Sequence, residues 1–195
     1  MINDELKARY AVDHGADLLI LVDGKDNIVG YLDKGSCHQG EGVLHRAFSI
    51  FIFNSRGQLL LQRRSAAKPL WPLFLSNSVC SHPRRGESYE EATHRRLKEE
   101  LGIETGVFFL FKFEYRVPYG VLGAENELCS VFIGKWDGPV VVDPGEIAEW
   151  QFIDLQELDK ELQTRPEVYT PWFKMEWQRI RENHMKEIGR LLGNN

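Results

Sequence analysis

Short apolar runs alternate along the chain with turn-forming clusters. Residues 18–22 and 28–32 are two such runs flanking Asp23-Gly24-Lys25-Asp26-Asn27, which predicts a β-hairpin. Residues 35–42 carry three glycines and read as a loop. Residues 47–53 form an apolar run with Ser49 its one polar member, Asn54-Ser55-Arg56-Gly57 turns the chain, and residues 58–62 form another strand, so a second, central hairpin is expected. Ser88 followed by Glu91 is a capping box and Gly102 a left-handed stop, which together predict a helix over 89–101. Strands are expected at 107–115, 127–135 and 150–153, with 139–144 a turn-rich interruption. Asp154 can cap a short helix through Leu162, and Thr170-Pro171 opens a long amphipathic helix over 172–192. Strands gathered around one early helix, with further helices to cover them, predict an α+β class rather than a doubly wound sheet.

Composition narrows the setting. At 195 residues, 43% hydrophobic and 27% charged, residues 1–195 suit one globular domain that needs no disulfide to hold its core. A formal charge of -5 argues against a broad nucleic-acid or anionic-membrane surface, so a polyanion site must be a local basic pocket. Residues 1–14 are mixed in charge and the run at 18–22 is too short for a signal peptide or a membrane span, so a soluble, cytoplasmic protein is expected. Three irregularly spaced cysteines, Cys37, Cys80 and Cys129, speak for reduced thiols, leaving cysteine available as a reagent.

The most specific stretch is Asn77-Ser78-Val79-Cys80-Ser81-His82-Pro83, followed at once by the helix bearing Arg95, Arg96, Glu99 and Glu100. A cation and a basic cluster can hold a diphosphate while a nearby thiol moves a proton on the organic part of the same ligand. The run Glu87, Arg95, Arg96, Leu97, Glu99, Glu100, Gly102, Ile103 resembles the Nudix box, a loop-helix-loop that binds a divalent cation and diphosphate. Two positions depart from it: Ser81 stands where hydrolases usually have the first glycine, and Arg96 where they usually have a metal-binding glutamate. A guanidinium there repels a cation and attracts phosphate oxygens. The plainer reading, that Arg95–Glu99 and Arg96–Glu100 are i,i+4 pairs on a solvated face, accounts for the helix but not for the Cys-x-His loop beside it.

From residue 29 to 172 the chain resembles the type I isopentenyl-diphosphate isomerases, a Nudix-fold family with a box altered in this way. The resemblance runs through the cysteine loop at 77–83, the acidic triplet Glu125-Asn126-Glu127 and the pair His38 and His45. It implies a Nudix-like mixed β-sheet sandwiched by helices. It also implies a metal held by His38, His45, His82, Glu125 and Glu127. Three nitrogens and two carboxylates suit zinc, manganese or iron, with the ion's identity, magnesium included, left open. A second ion, magnesium, would bridge the substrate's diphosphate to Glu100, with Lys34, Arg64, Lys68 and Arg96 as phosphate-binding side chains.

The implied reaction interconverts isopentenyl and dimethylallyl diphosphate through a tertiary carbocation-like state, with acid and base on opposite faces of a dry slot. Glu127, tuned by Tyr115, is the candidate acid and Cys80, as thiolate, the candidate base; the two directions can be exchanged. Trp172 would offer its ring face to the cation, although Trp172, Phe173 and Trp177 also fit a core-facing helix stripe. Trp71 is expected in the pocket wall, Cys37 and Cys129 are expected to be inert, and His14, His94 and His184 receive no role. The partner expected is a small prenyl diphosphate, with neither nucleic acid nor membrane. Two rivals remain: a Nudix hydrolase of a nucleoside or coenzyme diphosphate, with Glu99 and Glu100 on metal and Glu146 or Glu149 as base, and a noncatalytic module with a structural metal.

Overall fold

The computed structural model describes residues 17–193; the expectations for residues 1–14, His14 among them, lie outside the described residues. β1 (Leu19–Val22) and β2 (Ile28–Leu32) form the expected antiparallel pair, and Asp23 closes their turn by accepting the N–H groups of Lys25 and Asn27. The glycine-rich loop begins instead with a short helix, α1 (Lys34–Cys37), because Asp33 accepts the Ser36 N–H at 2.9 Å and caps it.

β3 (His45–Phe53) is the organising strand. It runs parallel to β8 (Gly123–Lys135) in register from His45↔Glu127 to Phe53↔Lys135. Its other edge is shared by β1, by β6 (Val79–Ser81) through Ser49↔Cys80, and by β4 (Leu59–Arg64). The expected central hairpin therefore reduces to one register pair, Phe53↔Leu59. Beyond that pair β4 leaves for β9 (Ile147–Ile153) and β5 (Leu75–Ser76), because a turn fixes only the first pair and the competing partners are long-range. β7 (Val107–Tyr119) pairs antiparallel with β8 and completes a mixed sheet of nine strands among the described residues.

Alternation along β3 explains its apolar run, which only Ser49 interrupts. Phe48, Ile50 and Ile52 join Ala92, Leu97 and Leu101 of α2 (Tyr89–Leu101) in one core layer. Ala47, Phe51 and Phe53 face the opposite layer, with Leu158 of α3 (Leu155–Thr164) and Phe173, Trp177 and Ile180 of α4 (Pro171–Asn183). A strand buried on both faces has no polar side to show. α2 starts and stops where its capping box and Gly102, at φ 65°, dictate. Asp154 occupies the N-cap position of α3 without making a side-chain cap bond. The long final helix is in fact two, α4 and α5 (Met185–Leu192), broken at His184, whose ring stacks on Phe111 at 5.0 Å. This is an α+β fold with helices on both faces of a mixed sheet. Among the described residues no helix is long and apolar enough to cross a membrane.

Candidate active site

Strand register assembles the polar centre. The parallel β3–β8 ladder sets His45 beside Glu127, and the antiparallel β7–β8 ladder sets Tyr115 opposite Glu127 and Val117 opposite Glu125. β8 begins four residues earlier than expected, so Glu125 and Glu127 lie two apart on one strand and share a face. β6 leads directly into His82, and α1 ends at His38. The three imidazoles meet with ring centroids 4.8 to 5.3 Å apart. One donor atom each from His38, His45, His82 and Glu127 falls within 4.8 Å of the others. Glu125 joins through His38, whose Nε2 is 2.8 Å from its carboxylate.

The donors fit a divalent cation. His38 and His45 use Nδ1 against the carbonyls of Lys34 (2.6 Å) and Val43 (2.7 Å), which turns both Nε2 atoms inward. His45 is fully buried, and its Nε2 has no hydrogen-bond partner among the described residues. An orphaned imidazole nitrogen in a dry site is costly unless an ion takes it up. Burial and the neighbouring His38 bring His45 down to about 4, and burial holds His82 well below its usual range, so both present neutral, ligand-ready nitrogens. Burial raises the carboxyl of Glu127, and Glu125 beside it adds to the effect. Glu127 is anchored at both oxygens, Oε1 at 2.8 Å from His82 Nε2 and Oε2 accepting the Tyr115 hydroxyl at 2.6 Å.

Cys80 lies on the same cavity of about 530 Å³ as Glu127, Tyr115 and Trp172. Its thiol donates to Asn77 Oδ1 at 2.7 Å and accepts the Trp172 indole N–H at 3.1 Å. Asn77 is oriented for this by donating its amide to the carbonyls of Ile50 and Val79. The thiolate expected from the sequence is not the state this pocket favours. Burial and then the charge of Glu176 push the sulfur up to about 12. Trp172 lines the cavity with its N–H donated to the sulfur and the Arg64 guanidinium 5.3 Å from its ring centroid. Trp71 stands one layer back, edge-on to Trp172 at 5.1 Å. Cys37 is fully buried and pushed up to about 12 by that burial, whereas Cys129 has polar neighbours that the sequence did not reveal, Ser49 and Glu176.

Lys34, Arg64 and Lys68 line the cavity beside apolar Leu70 and Leu122. Arg64 donates to the carbonyls of Trp71 (2.9 Å) and Leu70 (2.8 Å), holding a loop in which Trp71 and Leu73 adopt positive φ of 46° and 63°. Arg96 and Glu100 stand behind this wall rather than in it. Arg96 is shared among Glu99 (2.7 Å), Glu100 (2.7 Å) and Glu146 (2.8 Å), and Lys68 also bonds Glu146. Glu146, the rival base for a hydrolase, is thus neutralised by two cations, and Glu149 is paired with Arg63 on the surface. Arg95 makes the expected bond to Glu99 but bonds Glu87 more closely, at 2.6 Å.

Residues 43–173 match the NUDIX domain family. Isopentenyl-diphosphate Delta-isomerase 1 of Photorhabdus laumondii subsp. laumondii is 42% identical over 172 residues, covering 87% of this chain and 98% of that protein. Isopentenyl-diphosphate Delta-isomerase 2 of Aromatoleum aromaticum is 44% identical over 156 residues, covering 80% and 82%. Among solved structures, DR0079 from Deinococcus radiodurans has a TM-score of 0.67 at 26% identity over 86% of this chain and 99% of that one. A MutT protein from Methanosarcina mazei Go1 has a TM-score of 0.60 at 21% identity over 72% and 96%, a likeness of fold alone. The fold is thus one that hydrolases share, while the box with arginine at 96, the cysteine loop before it and near-full-length identity to isomerases agree: this chain belongs to the type I isopentenyl-diphosphate Delta-isomerases of the Nudix superfamily.

Proposed function

We propose that the chain interconverts isopentenyl and dimethylallyl diphosphate, with Cys80 and Glu127 as the proton-transferring pair. The observation that carries this reading is that a thiol and a carboxylate bonded to a tyrosine face one cavity whose wall also carries basic and apolar side chains. Moving an unactivated double bond requires one group that holds a proton and one that lacks it. Cys80, held as a thiol, suits protonation of the terminal methylene of isopentenyl diphosphate. Glu127 suits removal of a proton from the methylene next to the cationic carbon, and the reverse reaction exchanges the two roles. His38, His45, His82, Glu125 and Glu127 would hold a divalent ion, zinc, manganese or magnesium, whose charge would keep Glu127 ionised. Trp172 and Tyr115 exclude water from the carbocation-like state and leave it against aromatic surface.

Lys34, Arg64 and Lys68 would hold the diphosphate directly, with a magnesium ion held by Glu100 behind them. Arg96 then acts by orienting Glu100 and Glu146. Residues 1–195 would form one Nudix-type domain, and free cysteines suit a reducing, cytoplasmic setting. Lys68→Ala and Arg64→Ala are each expected to raise the KM for isopentenyl diphosphate about tenfold, the weight of one charge-assisted hydrogen bond. Arg64→Ala also lowers the thermal midpoint, because the Leu70 and Trp71 carbonyls lose their donor. An unchanged KM in both would remove these side chains from the diphosphate site.

The deciding experiment is proton NMR of isopentenyl diphosphate incubated with the protein in deuterated buffer, beside magnesium and a nucleotide panel. Deuterium in dimethylallyl diphosphate supports the isomerase reading. Phosphate release from a nucleotide at enzymatic rates, with no prenyl turnover, sinks it.

A further inference from the structure

Glu176 is a fully buried carboxyl that the reaction as described does not use. It lies on α4 one turn beyond Trp172, so both project from the helix face that covers the sheet. Its Oε1 is 3.5 Å from Cys129 Sγ; Cys129 Sγ is 3.6 Å from Ser49 Oγ; and Ser49 Oγ is 4.0 Å from Cys80 Sγ. Strand pairing builds this chain of contacts, since Ser49 of β3 is in register with Cys80 of β6 on one side, while Cys129 of β8 pairs with Ala47 two residues before it. The second oxygen, Oε2, has no hydrogen-bond partner among the described residues. A polar group is retained in this apolar layer only if something is gained from it.

We propose that Glu176 is a positioning residue for Cys80: its carboxyl fixes the Cys129–Ser49 pair against which the thiol rests, and docks the helix whose Trp172 N–H reaches the same sulfur. The inference rests on the isomerase reading. α4 then touches Cys80 twice, directly through Trp172 and indirectly through Ser49, and the thiol is held between helix and sheet. The arrangement works with the carboxyl protonated. Burial lifts Glu176 to about 8, against hydrogen bonds from Ser49 and Cys129 and the charge of Arg179 on its own helix. Cys80 of β6, Cys129 and Glu127 of β8, and Tyr115 of β7 all sense its charge, each raised by it, so ionising Glu176 loads the reaction centre with an unpaired anion. Activity is therefore favoured below that pKa and falls as pH rises through it.

The test compares wild type, Glu176→Gln and Glu176→Leu in full-length protein, measuring kcat and KM for isopentenyl diphosphate against pH, with thermal midpoints alongside. Leucine fits an apolar layer and is expected to keep the fold while lowering kcat about tenfold, with KM within about twofold. Glutamine, which keeps the polar contact and cannot ionise, is expected to retain wild-type kcat and to lose the alkaline decline centred at about pH 8. Wild-type kcat and pH profile in Glu176→Leu, or Glu176→Gln as impaired as Glu176→Leu, would overturn the inference. If Glu176→Leu does not fold, Ser49→Ala reads the same coupling: a comparable fall in kcat supports it, and an unchanged kcat overturns it. Absence of turnover by the wild-type chain overturns the isomerase reading itself, whereas wild-type turnover with an unaffected Glu176→Leu overturns this inference alone.

Discussion

Cys80→Ala is expected to lower kcat for isopentenyl diphosphate by about 10⁴-fold, the upper range for loss of a positioned acid or base. The sulfur is the β6 atom that meets Trp172 in the cavity wall, and two bonds fix its direction: donation to Asn77 at 2.7 Å and acceptance from the indole at 3.1 Å. Alanine removes the proton and leaves Asn77 Oδ1 and the Trp172 indole N–H without their sulfur partner. Affinity for inorganic diphosphate should stay within about twofold, since Lys34, Arg64 and Lys68 lie elsewhere on the cavity and none bonds the sulfur. The thermal midpoint should move little, because one small side-chain atom is lost from a half-buried site. Cys80→Ser separates geometry from acidity. Its hydroxyl can keep both bonds but is a far weaker acid than a thiol, so kcat should fall nearly as far. Turnover of Cys80→Ala within about tenfold of wild type, measured by deuterium incorporation, would move the acid to another group.

What could be read from the chain, and what could not, divides by the range of the interactions. The helix over 89–101 was legible to the residue because Ser88, Glu91 and Gly102 act within one turn of its ends. The cysteine loop was legible because its residues are neighbours in sequence. The parallel β3–β8 ladder was not, since it joins segments some eighty positions apart and the apolar run 47–53 gives no sign of which strand lies on either edge. That ladder brings His45 to Glu127, while β6 and β1 take the opposite edge of β3, where the central hairpin was expected to continue. The partners of Arg96 were legible only in part, for a related reason. Its spacing on α2 shows Glu99 and Glu100 within reach, but Glu146 arrives from a loop fifty residues later and accepts a further bond from the guanidinium. Glu176 was passed over because a carboxyl in a helix is ordinarily solvated, although its spacing from Trp172, Phe173, Trp177 and Ile180 sets it on the face that the sheet covers. The protonation of Cys80 is likewise a property of burial rather than of neighbours along the chain.

Glu127→Gln should reduce kcat by about 10³-fold or more and, unlike the cysteine variant, also strip the protein of its divalent ion. The amide is nearly isosteric, so the Tyr115 hydroxyl can still donate to its oxygen, and the fold should hold. What cannot persist is the rest of the environment. The atom facing His82 at 2.8 Å and His45 at 3.7 Å would become an NH₂ group, which neither takes up a proton nor ligates a cation. Turning the amide over instead sets its NH₂ against the tyrosine hydroxyl, which must then give up its role as donor. Metal content per chain, measured after gel filtration without added metal, should therefore fall well below wild type. The stabilisation that added zinc or manganese gives the wild-type thermal midpoint should shrink with it, since a ligand stabilises only the state that binds it. These two readouts separate the functions of one side chain. Metal retained with turnover lost makes Glu127 the proton-transferring group and assigns the ion to the histidines and Glu125; metal lost with turnover retained makes the carboxylate a ligand only. Tyr115→Phe is the comparison, because it removes the 2.6 Å bond but leaves both the carboxylate and the imidazoles, so a fall of about tenfold with metal content unchanged is expected. If Glu127→Gln kept both its metal and its turnover, neither role would belong to this residue, and the base would have to be sought at Glu125, one pleat along the same strand.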